Sequence, residues 1–325
     1  DNTYVVIDCD GIKELSLKGN VQISREVLVP LKENGEMADS TVTINGKSVT
    51  NRVRGDFAIK ASDWNDLLVK VNITPFAITK QTQDKDKGYF SFFVNNAVLD
   101  LSDLRTDASV VFPQYYATHG YLIAGTETWR GLYVESLYVG LPQEFKTEDH
   151  VDNRVSFEAQ NLLIDSYGVS GSFTANNVFP LEKGVTSEQN AWRYSLDKIG
   201  VNLAASKIVG ANIAGRIQLP IQRPENENTQ QVSETTPETQ SATQNQSTTL
   251  PTLPKNKYSL AYRGLITEAE YLLQVETEEN ISFDIWSAEA IIASGSSVEL
   301  RVKNREFLPK ANLSGVMSVY ANASP

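Results

Sequence analysis

The sequence predicts an all-β protein, built from repeated antiparallel strand modules that form a sandwich or a solenoid-like sheet stack, with an inserted disordered linker. Three observations lead to this prediction. Apolar and polar residues alternate over many short segments, and strand-favouring residues such as Val, Ile, Thr, Tyr and Phe are prominent. In addition, one spacing of apolar residues followed by a glycine recurs along the chain. Such recurrence is typical of arrays whose neighbouring units bury a core between them.

The recurring unit, which we call the glycine module, runs from an apolar residue to a glycine and closes at a proline followed by an apolar residue. Gly19 follows Val5 by 14 residues, and the same 14-residue spacing separates Phe157 from Gly171 and Val201 from Gly215. The closing prolines are Pro30, Pro180 and Pro220. Alternation places each glycine in an apolar row on one strand face, and we expect that face to be covered. A glycine in such a row also predicts either a β-bulge or the close approach of another backbone or a large side chain.

Two poorer copies extend the pattern. Residues 92–100 resemble residues 157–165 position for position, but Thr106 stands where the glycine is expected. The last copy begins at Phe283 and reaches Gly315 only after an insertion. Turn residues predict that each module divides into two or three short strands, with turns at residues 10–11, 165–168 and 210–212. The alternative to an internal repeat is that the pattern arises by chance in a chain rich in strand-forming residues.

The modules divide the chain into three parts. Residues 1–221 form a β-repeat region, with modules near 5–31, 92–113, 157–181 and 201–221. Residues 222–257 are rich in Gln, Thr, Ser and Pro, and this composition predicts a disordered linker or loop because it offers little apolar surface to bury. Residues 258–325 return to strand alternation as a C-terminal β module that completes or follows the array.

Local signals predict individual elements. Asn45-Gly46 lies between alternating segments in residues 41–49 and predicts a hairpin with a type I′ turn. Residues 62–68 suggest a helical turn before a strand at 69–73. Residues 267–270 fit a helix capping box, but alternation at Tyr271, Leu273 and Val275 favours a strand.

Composition limits the class of partner. The chain has 325 residues and a net charge of −11. This acidity argues against nucleic acid and against an anionic membrane surface, both of which attract Lys and Arg. No apolar run reaches the roughly 20 residues of a membrane-spanning helix, so we expect no transmembrane segment. The single cysteine, Cys9, forms no internal disulfide and is predicted to lie in a core.

Catalytic signals are weak. The two histidines, His119 and His150, are interpreted as solvated loop residues. The sequence contains no Gly-x-Ser-x-Gly motif, which would indicate a nucleophilic serine of a hydrolase. Residues 84–88 begin like a calcium loop but lack its later ligands, and residues 148–152 are the one acidic cluster that suggests a metal. We therefore assign no catalytic residue, no cofactor and no metal, and favour a protein that is not an enzyme.

Loop aromatics are the candidate ligand contacts. Tyr115, Tyr116, Trp129 and Tyr133 have rings that can stack on sugars, although packing in a core is the favoured interpretation. Trp129 and Trp192 are each predicted to be core or sheet-capping residues. The glycines Gly19, Gly171, Gly215 and Gly315 are predicted to be structural.

The sequence therefore predicts a non-enzymatic structural or binding scaffold. We expect it to be a segment of a larger extracytoplasmic or cell-surface protein or assembly, with a cytoplasmic location as the alternative. Its expected partners are other protein segments or subunits, and possibly glycans. Two alternatives stay open: a β-sandwich that binds or cleaves carbohydrate, and a β-groove that binds lipid tails.

Overall fold

The computed structural model describes residues 3–62, 66–79, 88–122, 128–142, 145, 154–181, 192–222, 257–285 and 288–319. Nearly all the regular structure in these residues is β-strand, joined by one five-residue helix. The all-β prediction is therefore confirmed. The linker predicted at residues 222–257 lies outside the described residues, except at its two ends.

The described elements are short antiparallel strands. In chain order they are β1 (Tyr4–Asp8), β2 (Gly11–Ile23), β3 (Val29–Pro30), β4 (Thr41–Ile44), β5 (Lys47–Thr50), β6 (Val53–Ala61), β7 (Leu67–Ile73), β8 (Phe76–Thr79), β9 (Tyr89–Asp100), α1 (Gln114–Thr118), β10 (Gly131–Gly140), β11 (Ser156–Asp165), β12 (Gly168–Phe179), β13 (Arg193–Tyr194), β14 (Leu196–Ala204), β15 (Lys207–Gln222), β16 (Lys257–Thr267), β17 (Glu270–Thr277), β18 (Ile281–Ile285), β19 (Ala288–Ile292), β20 (Ser297–Lys303), β21 (Glu306–Asn312) and β22 (Gly315–Val319).

The chain divides into two compact units. The first unit comprises Asp1–Phe179, Leu196–Ile213 and Leu265–Glu270, and the second comprises Pro180–Ser195, Ala214–Gly264 and Tyr271–Pro325. In the first unit, antiparallel pairing runs in the order β1–β2–β6–β7–β9–β10–β11–β12–β14. Strand β8 pairs with the first residues of β9 and with β3. The long central strands β9 to β12 therefore form the framework on which the loops of this unit pack.

The β4–β5 hairpin confirms the local turn prediction. Thr41 pairs with Thr50 and Ile44 with Lys47. Asn45 and Gly46 have φ values of 50° and 74°, the left-handed conformation that a type I′ turn requires and that these two residue types adopt readily.

The second unit contains one small separate sheet and further strand pairs. Strands β18, β19 and β22 form a three-stranded antiparallel sheet, and β20 pairs with β21. The strand predicted after residue 270 is confirmed as β17. Thr267 Oγ1 accepts hydrogen bonds from the backbone N–H groups of Ala269 and Glu270, so the capping-box residues close a turn between β16 and β17 instead of starting a helix.

Each glycine module spans a two-residue turn between strands. The turns lie at residues 9–10, 166–167 and 205–206. The turn predicted at residues 210–212 is wrong, because these residues lie inside β15 while Ala205 and Ser206 take φ values of 48° and 63°. Gly19 and Gly215 each follow the last turn residue by nine positions, whereas Gly171 follows Tyr167 by four. The spacing from the turn to the glycine is therefore the same in the first and third modules but shorter in the second. The repeat stays a prediction.

The first module lacks its predicted cover. Leu17 is 37% exposed and Val21 is 54% exposed, so the prediction of a covered apolar row is wrong for β2. Cys9 is also exposed, contrary to its predicted core position, because it occupies the turn between β1 and β2. Within the described residues, β1 pairs with β2 alone. Ile12, Leu17 and Val21 of β2 are exposed, together with the apolar residues of β1.

The buried core of the first unit lies under the loop that carries α1. Its buried members are Val98, Val110, Tyr116, Trp129, Tyr133 and Leu163. Val98, Tyr133 and Leu163 are directly paired across β9, β10 and β11 and so share one sheet face. The loop places Tyr116 and Trp129 on that face. In the second unit, Leu219, Tyr258 and Ile281 form a smaller core.

Candidate functional site

The predicted contact aromatics take two different positions. Tyr116 and Tyr133 are fully buried and Trp129 is 3% exposed, so these three rings belong to the core of the first unit. Tyr115 is partly exposed and lines a cleft. Trp129 therefore packs as predicted. Trp192, just before the short strand β13, is 56% exposed, so a core position is wrong for it, and the sheet-capping alternative stays a prediction.

Asp165 organises this core from the end of β11. Its Oδ2 accepts hydrogen bonds of 2.7 Å from the Tyr116 hydroxyl and from Trp129 Nε1. Its Oδ1 accepts the backbone N–H groups of Tyr167 and Gly168, which fixes the turn into β12. Burial, together with this carboxylate, raises the pKa of Tyr116 well above its usual value. The Tyr116 hydroxyl therefore stays protonated at neutral pH, and its role is structural rather than that of a general base.

Helix α1 is surrounded by stacked rings. The His119 ring stacks on Tyr115, with centroids 3.6 Å apart, and the Tyr121 ring stacks on Tyr167 at 4.3 Å. His119 is exposed, as predicted, and its Nδ1 lies within hydrogen-bonding distance of Thr118 Oγ1 and of the Tyr115 carbonyl. His150 lies outside the described residues. These stacks hold Tyr115 at the edge of the cleft.

The cleft beside α1 has a volume of about 380 Å³. On one side it is lined by residues 111–115, and on the other by residues of β11, β12, β14 and β15. The strand residues are Gln160, Asn161, Gly171, Ser172, Asn202, Leu203, Ala204 and Val209. The described residues that line the cleft are all uncharged, and they include amide, hydroxyl and apolar side chains. Such a lining suits an uncharged ligand that both donates and accepts hydrogen bonds.

A β-bulge shapes the floor of this cleft. The pairing of β11 with β12 shifts between Gln160 and Leu163, and Gly171 opposes the extra residues with a φ of 140°. Asn161 has a φ of 50°, and its Oδ1 accepts a 2.9 Å hydrogen bond from the Tyr133 hydroxyl. Bulges often redirect side chains beside functional sites. Here the bulge brings an amide to the cleft and the buried Tyr133 fixes its orientation.

A second polar cluster ties a loop to the sheet of the first unit. Asp66 is 1% exposed, accepts a hydrogen bond from the Ser102 hydroxyl, and forms a 2.9 Å salt bridge with Arg105. Burial alone would raise the pKa of Asp66, but hydrogen bonds from Ser102 and Ser62 and the charge of Arg105 hold it below the usual value. These contacts satisfy the carboxylate internally, so the cluster is structural.

The predicted module glycines all lie in strands where a side chain would meet a neighbour. The nearest neighbours of a Cβ are the Phe57 ring at Gly19 (2.6 Å), backbone carbonyls of Asn161 and Gln160 at Gly171 (3.0 Å), the Ser195 carbonyl and the Tyr262 ring at Gly215, and the Ile291 carbonyl at Gly315. Each is the close approach that a glycine in a strand indicates. The neighbour is a ring at Gly19, a carbonyl and a ring at Gly215, and backbone atoms alone at Gly171 and Gly315, so the contacts are not identical.

The β1–β2 hairpin forms an exposed apolar surface. Tyr4, Val5, Val6 and Ile7 are consecutive, and they are 41%, 48%, 45% and 68% exposed. Since successive strand residues point to opposite sides, both faces of β1 are apolar and exposed. The β20–β21 hairpin of the second unit has the same character at Phe307 and Leu308.

Comparisons with protein-family models, with curated proteins and with solved structures find no match for this chain. In the described part of the chain, no group of three or more His, Cys, Asp or Glu side chains is placed to hold a metal ion. Residues 84–87 and the acidic cluster at 148–152 lie outside that part. No helix among the described residues is long and apolar enough to cross a membrane.

Proposed function

We propose that this protein is a non-enzymatic structural scaffold that assembles through its outer strands, as part of a larger extracytoplasmic or cell-surface assembly. The observation that carries the proposal is the exposure of four consecutive apolar side chains along β1. Exposed apolar patches on soluble proteins mark interaction sites more often than chance surface composition. The occupant that we propose for the outer edge of β1 is β1 of a second copy of the chain.

The edge of β1 carries few of the usual protections against strand addition. Natural edge strands carry lysine, proline, a strong bulge or inward-pointing charge. Residues 4–7 contain none of these residue types, although the pairing with β2 shifts between Val6 and Ile7. An unprotected edge offers backbone N–H and C=O groups to an added strand, and the alternating side chains extend the contact on both faces.

A two-fold pairing of β1 strands is compatible with their charges. If Val6 faces its own copy in antiparallel register, Val5 faces Ile7 and Tyr4 faces Asp8. This register joins apolar pairs in its centre and opposes no like charges. The net charge of −11 disfavours association in general, so the apolar contact must outweigh that repulsion.

The test is the self-association of a Val6→Lys variant. We expect the wild-type chain to form dimers in sedimentation velocity runs, and the variant to dimerise at least about tenfold more weakly, since two lysines would face each other across the axis. Val27→Lys is the matched control, because Val27 is 63% exposed but lies outside β1. A wild-type chain that stays monomeric, or a variant that dimerises unchanged, would contradict the proposal. Lipid released from the purified chain would instead support the lipid-groove alternative.

A second candidate function is the binding of an uncharged saccharide in the cleft beside α1. The observation that favours it is the uncharged lining of amides and hydroxyls next to the Tyr115 ring. Sugar hydroxyls both donate and accept hydrogen bonds, as Asn and Gln side chains do, and sugar faces pack on aromatic rings. Glycoside hydrolysis needs two carboxylates beside the scissile bond. The described residues that line this cleft supply no carboxylate, so we propose binding without cleavage.

Calorimetric titration with a panel of neutral oligosaccharides tests this candidate. For any that binds, we expect Tyr115→Ala to weaken affinity at least about tenfold, because a stacking ring and a hydroxyl are lost. Tyr271→Ala is the matched control, since Tyr271 is 56% exposed and belongs to the second unit. Absence of binding across the panel, or equal loss in the two variants, would reject the saccharide site.

A further inference from the structure

A second cleft in the first unit has a different lining. Its volume is about 460 Å³, and it lies between residues 33–35 and the sheet strands β9 and β10. The lining residues are Glu33, Asn34, Gly35, Ser91, Phe93, Tyr138 and Arg154. The Tyr89 hydroxyl donates a 2.8 Å hydrogen bond to the Gly35 carbonyl, which attaches the loop to the sheet beside the cleft. In contrast to the cleft beside α1, this one contains a buried cation.

Arg154 is that cation. The residue is 8% exposed, and its buried Nε has no hydrogen-bond partner. The guanidinium carbon lies 4.7 Å from the centre of the Tyr89 ring, and no carboxylate in the described residues forms a salt bridge with it. Arginine stays protonated in proteins, so burial cannot neutralise it. A buried charge without an ionic partner is costly. This cost is relieved if an anion occupies the cleft.

Two hydroxyl groups converge on the same cleft. Ser91 pairs with Gly140 across β9 and β10, and Phe93 pairs with Tyr138 in the next row. A side chain at position 140 would collide with Ser91 Oγ and lie 3.3 Å from Tyr138 Oη. The glycine therefore keeps these two hydroxyls uncovered. The Phe93 and Tyr138 rings contact edge to face at 5.5 Å and give the cleft an apolar wall.

We propose that this cleft binds the carboxylate of an organic acid, with Arg154 as the ionic partner, the hydroxyls of Ser91 and Tyr138 as donors, and the Phe93 ring against the apolar body of the ligand. The planar guanidinium presents parallel N–H groups to the two oxygens of a carboxylate. This site is independent of the strand edge and of the saccharide candidate.

The charge balance favours a carboxylate over a phosphate or sulfate. Among the described residues, Arg154 and Glu33 are the charged ones that line the cleft, and Glu33 is exposed. A single guanidinium balances a monoanion. A dianion would leave one negative charge uncompensated in a partly dry cleft beside Glu33. We therefore expect the site to bind a monoanion more tightly than a dianion.

Calorimetric titration of the full chain tests the site, with sodium phenylacetate as the probe and uncharged phenylacetamide as the control ligand. We expect phenylacetate to bind in the millimolar range or tighter, and phenylacetamide and sodium sulfate to bind at least about tenfold more weakly. A short peptide ending in a phenylalanine carboxylate, compared with its amide, distinguishes a protein C-terminus from a free acid as the source of the group.

The variant Arg154→Lys keeps the charge but loses the planar fork, and we expect it to weaken phenylacetate binding about tenfold. Arg52→Lys, at an exposed arginine of the same unit, is the matched control and should bind as the wild type does. If Arg154→Lys does not fold, Tyr138→Phe removes one donor hydroxyl and should weaken binding about fivefold or more. No phenylacetate binding, equal binding of sulfate or phenylacetamide, or unchanged affinity in the folded variants would overturn the proposal.

Discussion

Replacing Trp129 with alanine is expected to lower the free energy of unfolding by about 3–5 kcal/mol, as large-to-small changes at buried aromatic residues do. Trp129 is 3% exposed, and its Nε1 donates to Asp165. The ring contacts Phe112 edge to face at 5.8 Å. Truncation leaves a cavity and removes one of the hydrogen-bond donors to the Asp165 carboxylate. Urea denaturation followed by circular dichroism measures the loss.

The control for this prediction is Trp192→Ala. Trp192 is 56% exposed, so we expect its truncation to change the free energy of unfolding by less than about 1 kcal/mol. The contrast between the two tryptophans separates a core role from a general effect of losing an aromatic ring. Equal destabilisation by the two substitutions would contradict the burial that the structure assigns to Trp129.

Replacing Gly215 with alanine is expected to lower the free energy of unfolding by about 1–3 kcal/mol, because overpacking forces the backbone to shift. An added Cβ would overlap the Ser195 carbonyl oxygen and come within 2.9 Å of the Tyr262 ring. The Tyr262 hydroxyl donates to that same carbonyl at 2.8 Å, so the neighbours cannot move independently. Thermal and chemical denaturation of the purified variant check the prediction.

The matched substitution is Gly55→Ala. Gly55 lies in β6, and a Cβ there meets no atom within 4 Å. We expect this variant to be as stable as the wild type or slightly more stable, because alanine restricts the unfolded chain. If Gly55→Ala is as damaging as Gly215→Ala, the cost arises from removing strand glycines in general and not from close packing.

The parts of the fold that the sequence predicted are those controlled by local chemistry. Asn45-Gly46 forms its turn because both residues accept positive φ, and the turn after Asp165 forms because that carboxylate binds the next backbone amides. The sequence did not predict the turn at Ala205 and Ser206, because alanine is not a usual turn former and a single serine is a weak turn signal. There, the Ser170 hydroxyl binds the Ala205 amide, a contact that only the folded sheet creates.

The candidate sites were less predictable. Of the four aromatics singled out in the sequence, Tyr115 lines a cleft, while the other three pack in the core. Residue type alone does not distinguish a buried aromatic ring from one that lines a cleft, because burial depends on which loop crosses which strand. Arg154 stands in a polar stretch with no motif around it. Its proximity to Ser91 and Tyr138 arises from strand register across the sheet, which a single sequence does not specify.

The exposure of β1 shows a further limit of strand patterns. Alternation in the first module predicted a covered apolar face, yet the described residues leave Val5, Val6 and Ile7 exposed. Alternation indicates only that a face is apolar. It does not distinguish a face covered by the same chain from one covered by another molecule. The exposed residues of β1 are therefore compatible with cover by a second copy of the chain.

Hydrogen exchange of the β1 backbone amides at a series of protein concentrations tests the proposed assembly most directly. If a second copy adds its strand at this edge, the β1 amides that do not bond to β2 will exchange more slowly as concentration rises, while those of the β4–β5 hairpin keep a constant rate. Exchange of the β1 amides that is independent of concentration, up to the highest concentration at which the chain stays in solution, would contradict assembly through this strand.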